Sequence, residues 1–262
     1  MSNFSFALRD SATMLRRDVQ HSLRNFSIVF VLLVPIIMLL LLNYVFGGAI
    51  GAGEGLVARG SAYIDYLAPG IFVMTVGSGC AATALNLCTD MAEGIITRFR
   101  TMAIFRASVL LGQVLGSLIR TLISVVLVLG VALLMGFRPT ASPVAWVAAL
   151  GLIALFTLAI TWMGTVFGLV GKTPAGANGL SLIFQLLAYT SSAFVSPESM
   201  SVGVRWFAKF QPFTPVIDTL RGLLLGTPIG SNSAILAVAW CCFLTLVGYL
   251  WARAVYNRGP VK

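Results

Sequence analysis

Between Ser27 and Phe46 the chain runs for twenty residues without a single charge. A helix needs about 20 mainly apolar residues to cross the hydrocarbon of a bilayer, and every backbone group must be satisfied within it. A water-soluble surface helix would show polar residues on one face of such a run, and this one has none. Comparable stretches follow at residues 66–89, 107–136 (interrupted by Arg120), 144–170, 179–195 and 234–252. The pattern predicts an all-α integral membrane protein with six transmembrane helices. Six spans leave short connections and no room for a separate soluble domain, so residues 1–262 read as one transmembrane domain.

Composition agrees, with 58% hydrophobic and only 10% charged residues, where a soluble domain carries about 25% charged residues. The net charge of +9 has two readings, a nucleic-acid footprint or membrane topology. With both termini inside, twelve of the 17 Lys and Arg fall on the cytoplasmic side, while the eight acids divide evenly. The positive-inside rule accounts for that bias, and no nucleic-acid partner is needed. The expected location is therefore the inner or plasma membrane, multi-pass, with the lipid bilayer as solvent. The apolar run that follows the first 26 residues is longer than the roughly 7–15 residues of a signal peptide, which favours a retained first span. Cys80, Cys88, Cys241 and Cys242 all fall inside predicted spans, without zinc spacing, and read as small buried hydrophobes.

Three segments, and four single residues within the spans, carry more information than a connector or an anchor needs. In residues 3–25 and on to Phe26, the residues Phe4, Leu8, Ala12, Leu15, Val19, Leu23 and Phe26 recur at helical spacing, with Arg9, Arg16, Arg17 and Arg24 on the other side. This describes an amphipathic helix in the membrane interface, either an anchor for the first span or an elbow that also touches a cytoplasmic partner. Residues 90–106 mix Asp90 and Glu93 with Arg98, Arg100 and Arg106 and with Ile95, Ile96, Phe99, Ile104 and Phe105. That mixture suits a short amphipathic helix docked against another protein at the membrane face. Arg120 is placed to snorkel from one to two turns inside the boundary. Asn86, Gln113 and Gln185 are intramembrane amides for which helix-to-helix hydrogen bonding is the default and cavity lining the alternative. Residues 196–233, with Pro197, Trp206, Phe207, Phe210, Pro212, Phe213 and Pro215 followed by a helical-looking Val216 to Leu225, are too apolar for a free loop and too broken for a span. Short re-entrant helices on the outer side satisfy both constraints. Asp218 and Arg221, three apart, can pair on one helical face.

The stretch VFGLVGKT, residues 166–173, ends like a phosphate-binding loop, but Val166 occupies the first glycine position and the segment closes a span instead of a strand. A secondary transporter would call for paired intramembrane acids or a repeated half, and neither is present. An intramembrane enzyme would need a nucleophile–base pair or metal ligands, whereas the lone His21 lies on the polar face of the N-terminal helix. The chain is predicted to be non-catalytic.

The N-terminal elbow, the Asp90–Glu93–Gly94 start with GIITRFRTMAIFRAS, the LLGQVLGSLIR around Arg120, SSAFVSPESM and FQPFTPVIDTLRGLLLGTP together resemble an ABC-2-type permease, the membrane subunit of an ABC transporter, of the daunorubicin-resistance branch. Ala103 and Ser201 stand where that family usually has proline. The resemblance implies two permease subunits, identical or paralogous, and two ATPase subunits that bind ATP and Mg, with no cofactor in this chain. It implies that the elbow and Asp90, Glu93, Arg98, Arg100 and Arg106 meet the ATPases. The outer hairpin, with Pro197, Trp206, Phe210, Pro212, Phe213, Pro215, Asp218 and Arg221, would gate the exit. Asn86, Arg120 and Gln185 remain candidates for cavity lining or helix packing, and the first, second and fifth spans for the substrate path. The implied substrate is hydrophobic or amphipathic, a drug or lipid, with a lipid-linked glycan as the alternative.

Overall fold

A computed structural model of the protein describes residues 27–51, 63–93, 106–195, 197–228 and 230–257. The elbow residues Arg9, Arg16, Arg17 and Arg24, and Arg98 and Arg100 of the 90–106 segment, lie outside the described residues. Within them the chain forms eight α-helices and no strand: α1 (Ser27–Gly51), α2 (Tyr63–Ala92), α3 (Arg106–Leu134), α4 (Pro143–Val170), α5 (Pro174–Tyr189), α6 (Val202–Phe210), α7 (Phe213–Leu225) and α8 (Ser231–Asn257). A 3₁₀ turn at Pro197–Ser199 precedes α6. By length and composition, Tyr63–Ala92, Leu110–Leu134, Pro143–Val170 and Asn232–Tyr256 can each cross a membrane, and Leu33–Val45 of α1 is a shorter apolar stretch.

The helix ends follow from local chemistry. Gly136, at φ 104°, ends α3, and the Phe137 amide turns back to the Ala132 carbonyl at 3.0 Å, the glycine-terminated geometry that only a residue without Cβ adopts cheaply. Ser142 then caps α4 by accepting from the Ala145 amide at 3.3 Å, with Pro143 in the first turn. Thr173 does the same for α5 through the Gly176 amide at 3.1 Å.

α2 is the axis of the bundle and packs against α1, α3, α4, α5 and α7. Lipid tails are as apolar as leucine, so helices in a membrane gain by close packing more than by leaving water. Small residues supply it here. Gly164 and Gly168, one turn apart on α4, sit so close to α2 that an added Cβ would lie 2.7 Å from the Cys80 carbonyl oxygen and 2.8 Å from that of Ala84. On the other side of α2, a Cβ on Gly79 would lie 2.6 Å from Thr121 Oγ1 of α3. Larger side chains fill the ends: Phe72 meets Phe137 edge-on at 6.2 Å, and Trp162 meets Tyr249 of α8 at 5.2 Å.

Two expectations need correction. The fifth apolar run does not form a helix over residues 179–195. Its helix starts five residues earlier at the Thr173–Pro174 cap and stops at Tyr189, after which residues 190–195 form bends and turns. The close approach of Gly70 to the Ala193 backbone, where a Cβ would lie 2.7 Å away, is part of the packing around that break. The 16-residue α5 is about 24 Å long, short of the about 30 Å hydrocarbon core. Of the four cysteines, Cys80, Cys88 and Cys241 are buried but Cys242 is exposed. Neighbours on a helix point about 100° apart, and on α8, which packs against α4 and α7, Cys241 faces inward and Cys242 outward.

Candidate functional site

At the end of the bundle where α2 begins, α7 is seated by Phe213, fully buried between Phe156 of α4 (5.3 Å, edge-on) and Phe184 of α5 (6.4 Å). Pro215 lies in the first turn, where the missing amide costs nothing, and Gly226, at φ 67°, ends the helix in the left-handed region. This seating turns Asp218 and Arg221 toward α2 and the turn after α5. Arg221 Nη1 donates to Asp218 Oδ1 at 3.0 Å, and Nη2 donates to the carbonyls of Ser192 (3.0 Å) and Tyr66 (3.2 Å). Its guanidinium lies 3.8 Å from the centre of the Tyr66 ring, a cation–π arrangement. Ser192 Oγ donates to Asp218 Oδ1 at 2.8 Å, the Ser192 amide donates to Thr214 Oγ1 at 3.2 Å, and the Tyr66 hydroxyl donates to the Ser192 carbonyl at 3.1 Å. Nearby, the Arg138 amide donates to Asp65 Oδ1 (3.2 Å) and the Thr140 amide to the Leu224 carbonyl (3.0 Å).

The pairing expected of Asp218 and Arg221 is present, and its surroundings make it a fastening between three segments. A planar fork with several donors suits this, because it engages a carboxylate and two carbonyls at once. Ser192, Thr214 and Tyr66 are the members that sequence reasoning missed. Their partners lie 22 to 155 residues away in the chain, so no local pattern marks them.

The other residues expected at a gate separate into two groups. Pro212, Phe213 and Pro215 are buried with α7, whereas Trp206 and Phe210 on α6 face outward, at 68% and 54% exposure. Pro197 lies in the 3₁₀ turn, and Arg205 binds that turn by donating to the carbonyls of Glu198 (2.6 Å) and Met200 (3.1 Å).

At the opposite end, Asp90 lies in the last turn of α2 and Glu93 just beyond it, exposed, while Arg106 opens α3. Within the bundle, Asn86 and Gln185 are half-buried on α2 and α5. Arg120, midway along α3, donates from Nη2 to Ser117 Oγ at 2.8 Å. Gln113 is buried, but its Nε2 has no hydrogen-bond partner, so the expected helix-to-helix bond from that amine is absent. VFGLVGKT closes α4, and its Lys172 takes a left-handed φ of 50° in the turn before the Thr173 cap. No group of three or more His, Cys, Asp or Glu side chains that could hold a metal occurs among the described residues.

A family model described as ABC-2 type transporter matches residues 10–225. The chain belongs to the ABC-2 type transporter family. The match ends at the last residue of α7, so the Arg221 fastening lies inside the family region and α8 follows it. The chain is 28% identical over 201 residues to the daunorubicin resistance ABC transporter permease protein DrrB1 of Streptomyces coeruleorubidus, covering 76% of this chain and 69% of that protein. It is 23% identical over 203 residues to the probable doxorubicin resistance ABC transporter permease protein DrrC of Mycobacterium tuberculosis, covering 78% and 72%. A putative transport permease, ycf38 of Porphyra purpurea, matches at 24% over 212 residues. As an ABC-2 permease with several apolar helices long enough to span, the chain is a multi-pass membrane transport subunit.

Proposed function

We propose that this permease is the membrane half of an ATP-driven exporter that carries a hydrophobic or amphipathic molecule, drug-like or lipid-like, out of the cytoplasm or inner leaflet. Two copies of the permease, or this chain and a paralogue, pair with two ABC ATPase subunits that bind ATP and Mg and perform the hydrolysis. Each permease contributes six spans, from α1, α2, α3, α4 and α8 and from α5 completed by the turns of residues 190–195, with both termini cytoplasmic, an N-terminal elbow helix, and α6 and α7 as short re-entrant helices on the outer side. Asp90, Glu93, Arg98, Arg100 and Arg106 transmit the ATPase cycle, and the hairpin from Pro197 to Thr227 controls release.

The observation that carries this reading is the family match together with the course of α2. One continuous 30-residue helix, with Pro69 beyond its first turn, holds Tyr66, bonded to Arg221, near one end and Asp90 at the other. At 1.5 Å per residue it is about 45 Å long, so a shift imposed at the Asp90 end has a stiff route as far as Pro69, where one backbone hydrogen bond is missing, and Tyr66 lies one turn beyond. ATP can drive export only if the two arrangements of the permease make different contacts with the ATPases. The drug class is suggested by relatives named for daunorubicin and doxorubicin resistance. The test is to purify the chain with its ATPase and measure vanadate-sensitive hydrolysis and transport. Glu93→Ala with Arg98→Ala should change hydrolysis and abolish transport while the subunits remain foldable. Unchanged hydrolysis would remove these residues from the coupling role, and failure to co-purify with any ABC ATPase would remove the reading as a whole.

A further inference from the structure

The helix α6 is an oddity on this bundle. Of its nine residues only Ala208 is buried. Val202 (80%), Trp206 (68%), Phe210 (54%) and Phe207 (47%) are large, apolar and exposed, with the Trp206 and Phe210 rings 5.3 Å apart. At about 100° per residue, Val202, Trp206, Phe210 and Phe207 form one continuous arc, and Lys209 and Arg205 flank it on the Val202 side. Ala208 fixes which side meets the protein, so the aromatic arc points away from it.

Three observations say what covers that arc. First, the Trp240 Nε1 of α8 donates to the Phe210 carbonyl at 3.0 Å, and the Trp240 ring meets Phe243 edge-on at 5.7 Å. The α6 arc therefore runs on into the outward face of α8, where Ile235, Val238, Phe243, Leu246 and Leu250 are all exposed on a helix able to span a membrane. Second, Trp240 lies five residues beyond Ile235, where that face begins, which sets the end of α6 about 7–8 Å below its edge. An amphipathic helix in the membrane interface buries its apolar face about 5–10 Å into the headgroup–acyl boundary. Third, the nine residues of α6 alone fall short of the about 20–30 residues per side of a stable protein interface, and the face they continue belongs to a helix able to span a membrane.

We propose that α6 is an interfacial anchor: Val202, Trp206, Phe207 and Phe210 lie among the acyl chains of the nearer leaflet, and Lys209 reaches back to the lipid phosphates. The long Lys stem can follow the apolar arc while its ammonium stays at headgroup level, and tryptophan is at home at that depth. Trp206 and Phe210 are thereby assigned to lipid, leaving the buried part of α7 to act in any gating of the hairpin. The proposal rests on α8 crossing the membrane and on no feature of ATP coupling or substrate.

The full chain, reconstituted in phosphatidylcholine–phosphatidylglycerol vesicles, provides the test. The emission of Trp206 is isolated as the difference between the protein and its Trp206→Phe variant, and lipids brominated near the headgroup or near the chain ends serve as quenchers. The expected result is that shallow bromines remove most of the Trp206 signal, deep bromines remove less, and aqueous iodide has little effect. Phe210→Trp, which adds a reporter on the same arc, should give the same ranking and covers the case in which the first variant folds poorly. Quenching by iodide without quenching by bromolipid would put the arc in water and overturn the anchor. Protection from both quenchers would mean that protein covers it, a second copy included, and would overturn it equally. Strongest quenching by the deep bromines would also exclude an interfacial position.

Discussion

Removing the Arg221 guanidinium would leave the carbonyls of Tyr66 and Ser192 and an oxygen of Asp218 without the donor they share. The Ser192 carbonyl keeps the Tyr66 hydroxyl and Asp218 Oδ1 keeps the Ser192 hydroxyl, so the main loss is the charged donor to a partly buried carboxylate. A hydrogen bond of that kind is worth about 1.5–3 kcal/mol, and Arg221→Ala should lower stability by up to that order, measured as thermal unfolding of the detergent-purified protein. Arg221→Lys should recover only part of the loss, since an ammonium cannot reproduce the fork. Adding Asp218→Ala to Arg221→Ala should cost less than the two single losses together, because the second change removes a charge already left unpaired; strict additivity would mean the pair does not act as a unit. A contrasting case is Thr161, buried on α4, whose hydroxyl donates to the Thr157 carbonyl of its own helix at 2.7 Å. Thr161→Val should stay within about 1 kcal/mol of the parent. The difference between the two sites also marks what sequence can disclose. The Asp218–Arg221 spacing is visible as i, i+3, whereas Tyr66 enters only because folding brings the start of α2 to α7.

Helices of this protein announce themselves through apolar runs bounded by charge or by capping residues; α2, α3 and α4 follow those boundaries within three residues, while α8 runs five residues further at its end. α5 departs because its limits are set by a Thr–Pro cap and by close contact with a distant glycine, while apolarity alone continues through Val195. The cap was readable in the sequence and the contact was not. Thr173→Ala should therefore weaken α5 by about 1 kcal/mol, seen as faster amide exchange over residues 174–180. Helix contacts give a sharper comparison within α4. Gly164→Ala should cost about 1–3 kcal/mol by pushing α4 off the α2 backbone. Gly151→Ala, at an exposed position with nothing within 4 Å of the added methyl, should be neutral or gain up to about 1 kcal/mol from helix propensity. Equal effects at the two glycines would argue against the close α2–α4 contact.

For the molecule as a whole, the stiffness of α2 is what the proposed coupling requires. Ala81→Gly with Ala82→Gly, at half-buried positions midway along it, should cost about 2 kcal/mol in helix propensity, leaving the fold intact but the rod softer. In a complex with the ATPase, transport per ATP hydrolysed should fall more than hydrolysis itself, whereas a proportional fall in both would indicate simple loss of folded protein. The hydroxyls along this route have another consequence. Thr75, Ser78, Thr83 and Thr89 on α2, and Ser181 on α5, all donate to carbonyls three or four residues back in their own helices. A guest moving beside these helices, on the proposed path, would meet hydroxyls that are already committed, with the half-buried amides of Asn86 and Gln185 as polar exceptions. Such a wall ranks guests by size and oiliness, and one methylene more or less is worth only about 1–3 kcal/mol to it. On the proposed path, breadth of cargo would be set by that lining, and narrowing it would mean freeing a donor as much as reshaping a pocket.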